Sequence, residues 1–566
     1  MKKSKIIMGM VLAIVCFAAS AIPASAAFRD VPREFWAYNE IQFLTDKNVI
    51  QGFSNGTFKP TGPITRKDAA IMLVRAMKMD IPTEPSIIPS DMKETSTGYN
   101  EVIAVVNAGM FTLEDGKFNP TKPLLRKEMA KALATGYQYE GQGNSSFTDI
   151  HKDDPYYTYI DAIAENKVTS GYMDGTFKPS MIVNRAQFST FMARIYGRPL
   201  EYSVKLNGET LETFRNSESA IAFAVKNPGA TVHPVSNSLI TYNEETGKMD
   251  STGIKNGVII YNGSENAKGF TPDFFDSYLT RNDGVQPNDL FDTFIFQANR
   301  YKIGEGDNMQ SGDFSETAKN TANYDVWQWY LDRILGSEGS LANLDKAAAK
   351  AGKHPNVYIG IPYPKKTGDI IDLDGNSLTN TTEAREDLVN WFINQVENTF
   401  YERNYSNINL KGYYWTNETV ISQQDEIIVA SAAKVLHAQN RKFIYSPHAL
   451  STNFNRWQSY GFDGAFRQPN AFRFTGEDAE AKLHRAFLEA QIFGCGINFE
   501  IEPNSSAQLA EKGLDSIKRY AEFSKRYGLP GRSMIVYQDL EMIHRMATNP
   551  DPMYQQAYQA FMSIIQ

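Results

Sequence analysis

The chain has 566 residues, which is enough for about three or four domains of ordinary size. Hydrophobic residues make up 42% of the sequence and charged residues 22%, so packed cores are expected and wholesale disorder is excluded. The formal net charge is -8 and no long basic run occurs, so nucleic acid is not an expected partner.

The first 26 residues have the pattern of a signal peptide. Lysines near the start precede an apolar run over 6–19, which is too short to span a bilayer, and Ala24-Ser25-Ala26 is a small-residue cleavage site. The mature chain is predicted to begin at Ala27 and to contain no membrane span, because no later apolar stretch reaches about 18 residues. Cys16 offers a lipoprotein anchor as an alternative, but Val15 stands where a small residue is expected. Removal of the signal peptide leaves Cys495 as a lone thiol, which excludes an internal disulfide or a zinc–cysteine cluster.

A repeat occupies the start of the mature chain. One turn motif occurs at Gly52-Phe53-Ser54-Asn55-Gly56-Thr57-Phe58-Lys59-Pro60 and again at Gly171-Tyr172-Met173-Asp174-Gly175-Thr176-Phe177-Lys178-Pro179. A shorter copy ends at Phe118-Asn119-Pro120. Each turn precedes an arginine, Arg66, Arg126 or Arg185, and these arginines are 60 and 59 residues apart. The Asn-Gly and Asp-Gly pairs favour turns with positive φ, and Thr65 or Asn184 is a suitable helix N-cap. The pattern predicts three helix–turn–helix units, 27–85, 86–145 and 146–200, that pack around one core.

These motifs resemble the surface-layer homology domain in a triple set. The resemblance implies an all-α, three-pronged module that binds pyruvylated secondary cell-wall polysaccharide through the arginine of a Thr-Arg-Ala-Glu motif. The implied contact residues are Arg66, Arg126, Arg185, Trp36 and Gly52. Thr65-Arg66-Lys67-Asp68 is the closest copy of the motif, and a guanidinium holds a carboxylate in a two-point geometry that lysine cannot match. The alternative is that these arginines cap helices or pair with carboxylates inside the helical core.

Residues 201–250 are predicted to form a small α+β spacer. Residues 202–206 alternate as a strand does, Asn207-Gly208 is a hairpin turn signal, and 217–225 has a helical pattern. The segment carries no cluster of His, Asp or Glu, so we expect it to hold the next domain away from the wall.

Residues 251–566 alternate short apolar runs with helical stretches, which is typical of parallel β/α units. The eight runs are 257–261, 293–296, 357–361, 412–415, 443–445, 464–466, 496–499 and 534–537. Eight strands in this length predict a (β/α)8, TIM-barrel-like domain, so the whole chain is predicted to be multidomain. The functional residues of such a barrel lie at the carboxyl ends of its strands.

The predicted strand ends carry carboxylates, amides and aromatic rings. No His-x-His or paired Asp-His spacing marks a metal site, no Gly-rich loop with Lys-Ser or Lys-Thr marks a phosphate site, and no Gly-x-Ser-x-Gly motif occurs. Neither a metal nor a cofactor is therefore expected. Glycoside cleavage needs two carboxyl groups, one protonated and one ionised, on either side of the scissile bond. The candidate catalytic residues are Glu418 after the fourth strand and Glu500 and Glu502 at the end of the seventh.

The pair Asn417-Glu418 after the fourth strand and a glutamate after the seventh resemble the retaining barrel glycosidases, in which these are acid/base and nucleophile. Three motifs resemble an uncharacterised, glycosidase-like domain family that is often fused to surface-layer homology repeats. They are Tyr-Trp-x-x-Glu at 414–418, Gln-Pro-Asn at 468–470 and Phe-Glu-Ile-Glu at 499–502. Glu418 could instead be a helix N-terminal carboxylate or a salt-bridge partner. Which of Glu500 and Glu502 is the nucleophile stays open, with Glu502 preferred, and one of them is expected to pair with Arg467 or His448.

The last site prediction concerns sugar binding. Aromatic rings stack on the apolar faces of sugars, and amides bind their hydroxyl groups. The predicted substrate-binding residues are Tyr414, Trp415, Asn417, Tyr445, His448, Arg467, Gln468, Asn470 and Tyr537. The sequence thus predicts an exported surface protein of a Gram-positive-type bacterium, anchored to wall polysaccharide, whose barrel hydrolyses a surface or extracellular polysaccharide. A non-catalytic glycan-binding barrel and a lattice-forming surface-layer protein are the alternatives.

Overall fold

A computed structural model gives the positions of most residues of the chain. The described residues are 28–32, 35–166, 168–169, 171–172, 174–196, 201–214, 217–235, 252–263, 270–281, 284, 289–298, 300–303, 310–313, 323–420, 422–449, 451, 454–501, 512–528, 533–538 and 541–565. The predicted signal peptide, 1–26, and Glu502 lie outside these residues. In the described part of the chain, no helix is long and apolar enough to cross a membrane.

The repeat region is helical. Its described residues form α1 (Tyr38–Asp46), α2 (Arg66–Met77), α3 (Tyr99–Asn107), α4 (Arg126–Gly136), α5 (Tyr157–Glu165) and α6 (Arg185–Ile195). The segments before α2, α4 and α6 hydrogen-bond in a closed ring, in which Ile64 N donates to Val183 O, Val183 N to Leu124 O and Leu124 N to Ile64 O. One cluster of buried apolar side chains spans all three repeats, because a unit of two short helices cannot bury its own apolar face.

Each arginine-bearing helix begins at a local cap. Thr65 Oγ1 accepts from Asp68 N at 3.1 Å before α2, and Asn184 Oδ1 accepts from Gln187 N at 2.8 Å before α6. Leu125 has no side-chain oxygen, but its own N–H donates to Glu128 Oε2 at 2.9 Å. Such caps satisfy backbone groups that the first helical turn leaves without partners. The three arginines therefore occupy equivalent first-turn positions.

A small sheet with one helix follows the repeats. The strands β1 (Tyr202–Leu206), β2 (Glu209–Phe214) and β3 (Thr231–Pro234) pair antiparallel in the order β2-β1-β3, and α7 (Ser217–Val225) connects β2 to β3. Asn207 and Gly208 join β1 to β2 with φ values of 52° and 87°. Positive φ at both turn positions is typical of a two-residue hairpin, which Asn-Gly tolerates at low cost.

The strands of the carboxy-terminal region build a closed barrel. They are β4 (Asn256–Tyr261), β5 (Thr293–Gln297), β6 (Arg300–Ile303), β7 (Gln310–Asp313), β8 (Asn356–Ile361), β9 (Ile370–Ile371), β10 (Ser377–Leu378), β11 (Asn409–Trp415), β12 (Lys442–Tyr445), β13 (Gly464–Arg467), β14 (Gly496–Ile501) and β15 (Met534–Gln538). Parallel pairing closes the barrel in the order β4-β5-β8-β11-β12-β13-β14-β15, whereas β6-β7 and β9-β10 are hairpins. Each of the eight predicted apolar runs lies within one barrel strand, so the predicted eight-stranded parallel barrel is confirmed.

Helices surround the barrel. They are α8 (Pro272–Leu279), α9 (Tyr324–Leu335), α10 (Ser340–Ala351), α11 (Thr382–Arg403), α12 (Gln423–Ala438), α13 (Gly476–Phe493), α14 (Leu514–Arg526), α15 (Met542–Thr548) and α16 (Pro552–Ile565). The fifth β/α unit differs from the others. Between β12 and β13 the described residues form no α-helix, only a 3-10 helix, Phe454–Tyr460.

Side chains along the strands alternate between the barrel interior and the helix layer. The interior cluster consists of Ile254, Ile259, Ile295, Tyr358, Tyr414, Ile444, Phe466 and Ile535, with Tyr537 packed against it. The neighbouring strand positions belong to the larger cluster between strands and helices. This parity decides which residues near the strand ends reach the mouth of the barrel.

Candidate functional site

The described glutamate of the seventh barrel strand points into the barrel. Ile497, Phe499 and Ile501 of β14 pack in the helix layer, so Asn498 and Glu500 face the interior because side chains alternate. The Glu500 side chain is buried, and its Oε2 accepts from the backbone N–H of Asn470 at 2.6 Å. Asn470 has a φ of 48°, a left-handed conformation that asparagine tolerates better than most residues. This turn aims its N–H at Glu500.

Glu418 lies at the same end of the barrel, three residues beyond β11. Its half-buried side chain accepts from Gln468 Nε2 at Oε1, over 2.8 Å. Its backbone oxygen accepts from His448 N and from Tyr445 Oη, each at 3.0 Å. The fifth strand and the loop after it therefore hold the backbone of Glu418, while the end of the sixth strand holds its carboxylate.

One short segment contacts both carboxylates. Gln468 binds Glu418 through its side chain, and Asn470, two residues later, binds Glu500 through its backbone. The segment continues β13 at the carboxyl-terminal rim, between β12 and β14. Glu418 and Glu500 thus share one supporting segment at this rim of the barrel.

A buried polar network lies beneath the two carboxylates. Ser446 Oγ accepts from Asn498 Nδ2 at 2.8 Å and from Gln468 Nε2 at 3.4 Å, and donates to Phe466 O at 3.0 Å. Asn498 Oδ1 accepts from Tyr537 N at 3.1 Å. The sequence analysis missed Ser446 and Asn498. Each is a polar residue at an inward-facing position of an otherwise apolar strand. The sequence could have indicated them only if it had shown which strand positions face inwards.

Tyrosine hydroxyls complete the interior of the mouth. Tyr261 and Tyr537 hydrogen-bond to each other, and their ring centroids are 5.7 Å apart. Burial raises the pKa of Tyr261 well above its ordinary value, and the nearby Tyr537 and Glu418 add to this rise. Burial also raises the pKa of Tyr414, again with a contribution from Glu418. These hydroxyls stay protonated at physiological pH and can donate hydrogen bonds.

Three predicted substrate-binding residues face away from the barrel interior. Trp415 and Tyr445 are buried in the helix layer, where Trp415 packs edge-on against Tyr363 and Tyr445 stacks on Phe462. Arg467 ends β13 on the same outer side, because Phe466 points inwards. Its Nε donates to Glu489 Oε2 of α13 at 2.7 Å. The expected pairing of Glu500 or Glu502 with Arg467 or His448 stays a prediction.

The other predicted residues lie beside the mouth. His448 is half-buried in the loop after β12, and Asn417 donates to Thr419 O at 2.8 Å, which stabilises the turn that carries Glu418. Glu502 lies outside the described residues. Among the residues that the structure describes, no group of three or more His, Cys, Asp or Glu side chains is arranged to hold a metal ion.

The three repeat arginines form a second cyclic pattern. Arg66 Nε donates to Phe118 O at 2.7 Å, Arg126 Nε to Phe177 O at 2.8 Å, and Arg185 Nε to Phe58 O at 2.7 Å. Each arginine of one repeat thus holds the turn of another repeat. All three side chains are more than nine-tenths buried, so the arginines contribute to packing between the repeats whatever else they bind.

The arginines differ in charge neutralisation. Arg66 forms an ion pair with Glu128, and Arg185 lies 3.6 Å from Asp68. The equivalent position for Arg126 is Gln187, whose Oε1 accepts from Asn184 N. In the described part of the chain, no carboxylate lies within ion-pair distance of Arg126, which is surrounded by the rings of Tyr172, Phe177 and Phe191. Burial lowers the pKa of Arg126.

Two further predicted wall contacts lie in the first repeat. Trp36 is 42% exposed, so its ring is available to a ligand. Gly52 lies under an aromatic ring. A Cβ at this position would come within 2.2 Å of the Phe28 ring and 2.7 Å of Thr57 O. The glycine is therefore required by packing of the turn.

Two family models match the chain. The model described as S-layer homology domain matches residues 27–70 and 146–189, within the first and third predicted repeats. The model described as Domain of unknown function (DUF4855) matches residues 256–563, which contain the barrel.

Curated relatives share about a third of the chain. The Surface-layer 125 kDa protein of Lysinibacillus sphaericus is 30% identical over 196 residues, 31% of this chain and 16% of the relative. S-layer protein sap of Bacillus anthracis is 28% identical over 196 residues, which are 34% of this chain and 24% of the relative. An Endoglucanase of Bacillus sp. (strain KSM-635) is 25% identical over 199 residues, which are 33% of this chain and 20% of the relative. The chain spans less than a quarter of the length of these relatives.

The S-layer homology domains and the S-layer relatives define a cell-wall-anchored surface protein of Gram-positive bacteria. The second family model covers more than half of the residues. The chain therefore belongs to the family described as Domain of unknown function (DUF4855).

Proposed function

We propose that the repeats hold the protein on a pyruvylated secondary cell-wall polysaccharide and that the barrel hydrolyses glycosidic bonds of a surface or extracellular polysaccharide. In this proposal 27–200 is a three-pronged all-α anchor of three repeats, 201–250 an α+β spacer, and 251–566 the hydrolase, all exported by a signal peptide over 1–26. The observation that carries the hydrolase proposal is the segment 468–470, which binds Glu418 and Glu500 at one barrel mouth.

The two carboxylates have different surroundings that suit different roles. Glu500 is buried and accepts a backbone N–H, and such a donor stabilises negative charge on the oxygen that a nucleophile uses. Glu418 is half-buried and is bound by a neutral side-chain amide, so it can exchange a proton with substrate and water. We assign Glu500 as the nucleophile and Glu418 as the general acid/base.

The proposed reaction has two steps. A carboxylate oxygen of Glu500 attacks the anomeric carbon while the Glu418 carboxyl protonates the departing glycosidic oxygen, so an ester to Glu500 forms as the glycosidic bond breaks. The Glu418 carboxylate then removes a proton from water as the water oxygen replaces Glu500 at the anomeric carbon. Tyr261, Tyr537, Gln468 and Asn417 supply hydrogen bonds to the sugar in this arrangement. One relative that shares about a third of the chain is named Endoglucanase, a name that belongs to this reaction class.

The test is a screen of wall polysaccharides, exopolysaccharides and peptidoglycan fragments, followed by matched variants. On a cleaved substrate, Glu418→Gln and Glu500→Gln should each lower kcat by more than about 100-fold, because each removes a group that acts only in the transition state. Glu522→Gln, an exposed carboxylate on α14, serves as the control and should leave kcat unchanged. Full activity of the double variant Glu418→Gln, Glu500→Gln would refute the mechanism.

Small nucleophiles separate the two roles. With an activated leaving group, azide should restore turnover of Glu418→Gln with retained configuration, because departure no longer needs an acid. Azide should not do so for Glu500→Gln. A result in which Glu500→Gln is tolerated and Glu502→Gln is not would move the nucleophile to Glu502. Glycan binding without cleavage by all variants would instead favour the non-catalytic alternative.

Wall binding is tested with the full chain. It should sediment with purified wall that carries pyruvylated polysaccharide and remain in solution with wall stripped of that polymer. Arginine recognises carboxylates on both of its outer nitrogens, so a ketal-linked pyruvate is a suitable ligand for an arginine that lacks an internal carboxylate. Equal sedimentation with stripped wall would contradict this part of the proposal.

A further inference from the structure

The anchor packs on the one barrel unit that has no described α-helix. The 3-10 helix Phe454–Tyr460 takes the outer position after β12, beside α12, and buries Phe454, Arg456, Trp457 and Tyr460. The helices α1 and α6 of the repeats contact this 3-10 helix from the other side. The anchor therefore covers the 3-10 helix that takes the place of an outer α-helix at this point.

A buried charge cluster joins the two regions. Arg456 Nη1 lies 3.0 Å from Glu40 Oε1 of α1 and 3.1 Å from Glu426 Oε1 of α12. The three side chains are no more than 10% exposed, and the guanidinium carbon of Arg456 lies 4.9 Å from the centre of the Tyr460 ring. Buried ions are tolerated when they are paired, and removal of one partner is strongly destabilising. Separation of the anchor would leave Glu40 without this buried cation.

The same barrel unit also carries the loop that holds Glu418. His448 N donates to Glu418 O at 3.0 Å. Arg467 donates to His448 O at 2.5 Å and to Ala449 O at 2.7 Å. Arg467 also lines a cavity of about 740 Å³ between the anchor, the small sheet and the barrel, together with Arg194, Glu218 and Phe454. The guanidinium carbon of Arg467 lies 3.9 Å from the centre of the Phe454 ring in the 3-10 helix. A set of contacts therefore runs from the 3-10 helix through Arg467 and His448 to the backbone of Glu418.

We propose that the anchor is a structural wall of the barrel, locked by Glu40, Arg456 and Glu426, and that this contact holds the loop residues 446–449 in the position that orients Glu418. The orientation of the barrel on the cell wall is then fixed, because the two regions meet through a buried interface and not only through the chain that connects them. The interface itself is independent of the proposed hydrolase activity. Only the consequence for Glu418 rests on the proposed function.

Hydrogen exchange of the full-length chain tests this interface without any substrate. Arg456→Met removes the charge and keeps much of the side-chain volume. We expect exchange in α1 and in 454–460 to accelerate at least about tenfold, because two buried carboxylates lose their cation. The amides of His448 and Ser451, which donate to Glu418 O and His448 O, should accelerate as well. Arg519→Met is the control, since the partners it loses, Asp515 of α14 and Gly476 O of α13, belong neither to α1 nor to 454–460.

A second variant keeps the test decisive if Arg456→Met does not fold. Glu40→Gln changes only the anchor side and leaves Arg456 paired with Glu426, so it should accelerate exchange in α1 and 454–460 by a smaller factor. Unchanged exchange at the junction in either folded variant would overturn the proposed lock. Acceleration at the junction with unchanged exchange over 446–449 would overturn the coupling to Glu418. Inactivity of the barrel on every polysaccharide would affect neither result.

Discussion

His484 gives the chain an acid sensitivity that can be calculated. Its ring is fully buried on α13, and Nδ1 lies 2.7 Å from Tyr527 Oη. That hydroxyl accepts from Val232 N of β3 at 2.9 Å and shares its second hydrogen bond with His484 Nδ1. Among the described residues, Nε2 has no hydrogen-bond partner. Burial, reinforced by the Arg526 charge, lowers the pKa of His484 from 6.5 to about 3.

The sign and size of the effect follow from proton binding. Between the unfolded pKa of 6.5 and the folded pKa of about 3, the unfolded chain binds a proton at His484 that the folded chain excludes. The free energy of unfolding therefore falls as the pH falls through this window, by up to about 1.4 kcal/mol per pH unit. From pH 7.5 to pH 5.0 the loss attributable to this one residue is about 2 kcal/mol.

Denaturant unfolding of the full chain at the two pH values measures this loss. His484→Leu removes a hydrogen-bond partner of the Tyr527 hydroxyl, so each variant is compared only with itself at pH 7.5 and pH 5.0. The wild type should lose about 2 kcal/mol more than His484→Leu. His354→Asn replaces an exposed histidine and should behave as the wild type does. An identical pH dependence in the wild type and in His484→Leu would refute the reasoning.

Four further predictions concern single sites. Gly412→Ala should lower the free energy of unfolding by about 1 to 3 kcal/mol, and the thermal midpoint with it, because the new Cβ would lie 2.0 Å from a backbone oxygen of β12. Asp425→Asn should lower the free energy of unfolding, measured with denaturant, by about 3 to 5 kcal/mol, because the buried carboxylate lies 2.9 Å from Lys366 and 3.2 Å from Arg385. Asp374→Asn, at an exposed position, should leave this free energy unchanged. Burial raises the pKa of Cys495 to about 12, so its reaction with a thiol reagent at pH 8 should be far slower in the folded chain than in guanidinium. Arg126→Ala and Arg66→Ala should both lower the unfolding midpoint, because each removes a buried side chain that binds the turn of another repeat. Arg66→Ala should lower it further, because it also leaves Glu128 buried without its cation. Arg126→Ala should weaken sedimentation with wall more than Arg66→Ala does; the opposite ranking would contradict the assigned roles.

The barrel could be predicted because its strands are buried on both faces. Such strands appear as short, nearly continuous apolar runs between helical stretches, and the runs at 257–261 and 496–499 both lie within barrel strands. The position of Glu418 beyond the fourth strand could be predicted from the same reasoning, because parallel strands end at one rim.

Side-chain direction could not be predicted in the same way. Successive side chains of a strand point alternately to the barrel interior and to the helix layer, so a shift of one residue along the strand exchanges the two. In a continuous apolar run, the sequence does not show which side chains point inwards. Tyr414 therefore lies inside the barrel and Trp415 outside it, although the sequence presents them as equivalent. Arg467 has an outward parity, and its partner Glu489 belongs to a helix whose position depends on packing of the whole barrel.

The repeats show how similar motifs acquire different roles. The motif alone ranks Arg66 first, because Thr65-Arg66-Lys67-Asp68 is the most complete copy. The carboxylate that faces Arg66 or Arg185, however, comes from a different repeat, since the repeats are joined in a ring: Glu128 pairs with Arg66, and Asp68 lies near Arg185. Gln187 at the equivalent position of the third repeat therefore alters the site of Arg126 in the second repeat. A change that looks like the loss of one motif in the third repeat thus leaves Arg126 of the second repeat without an ion-pair carboxylate among the described residues, in contact with aromatic rings instead.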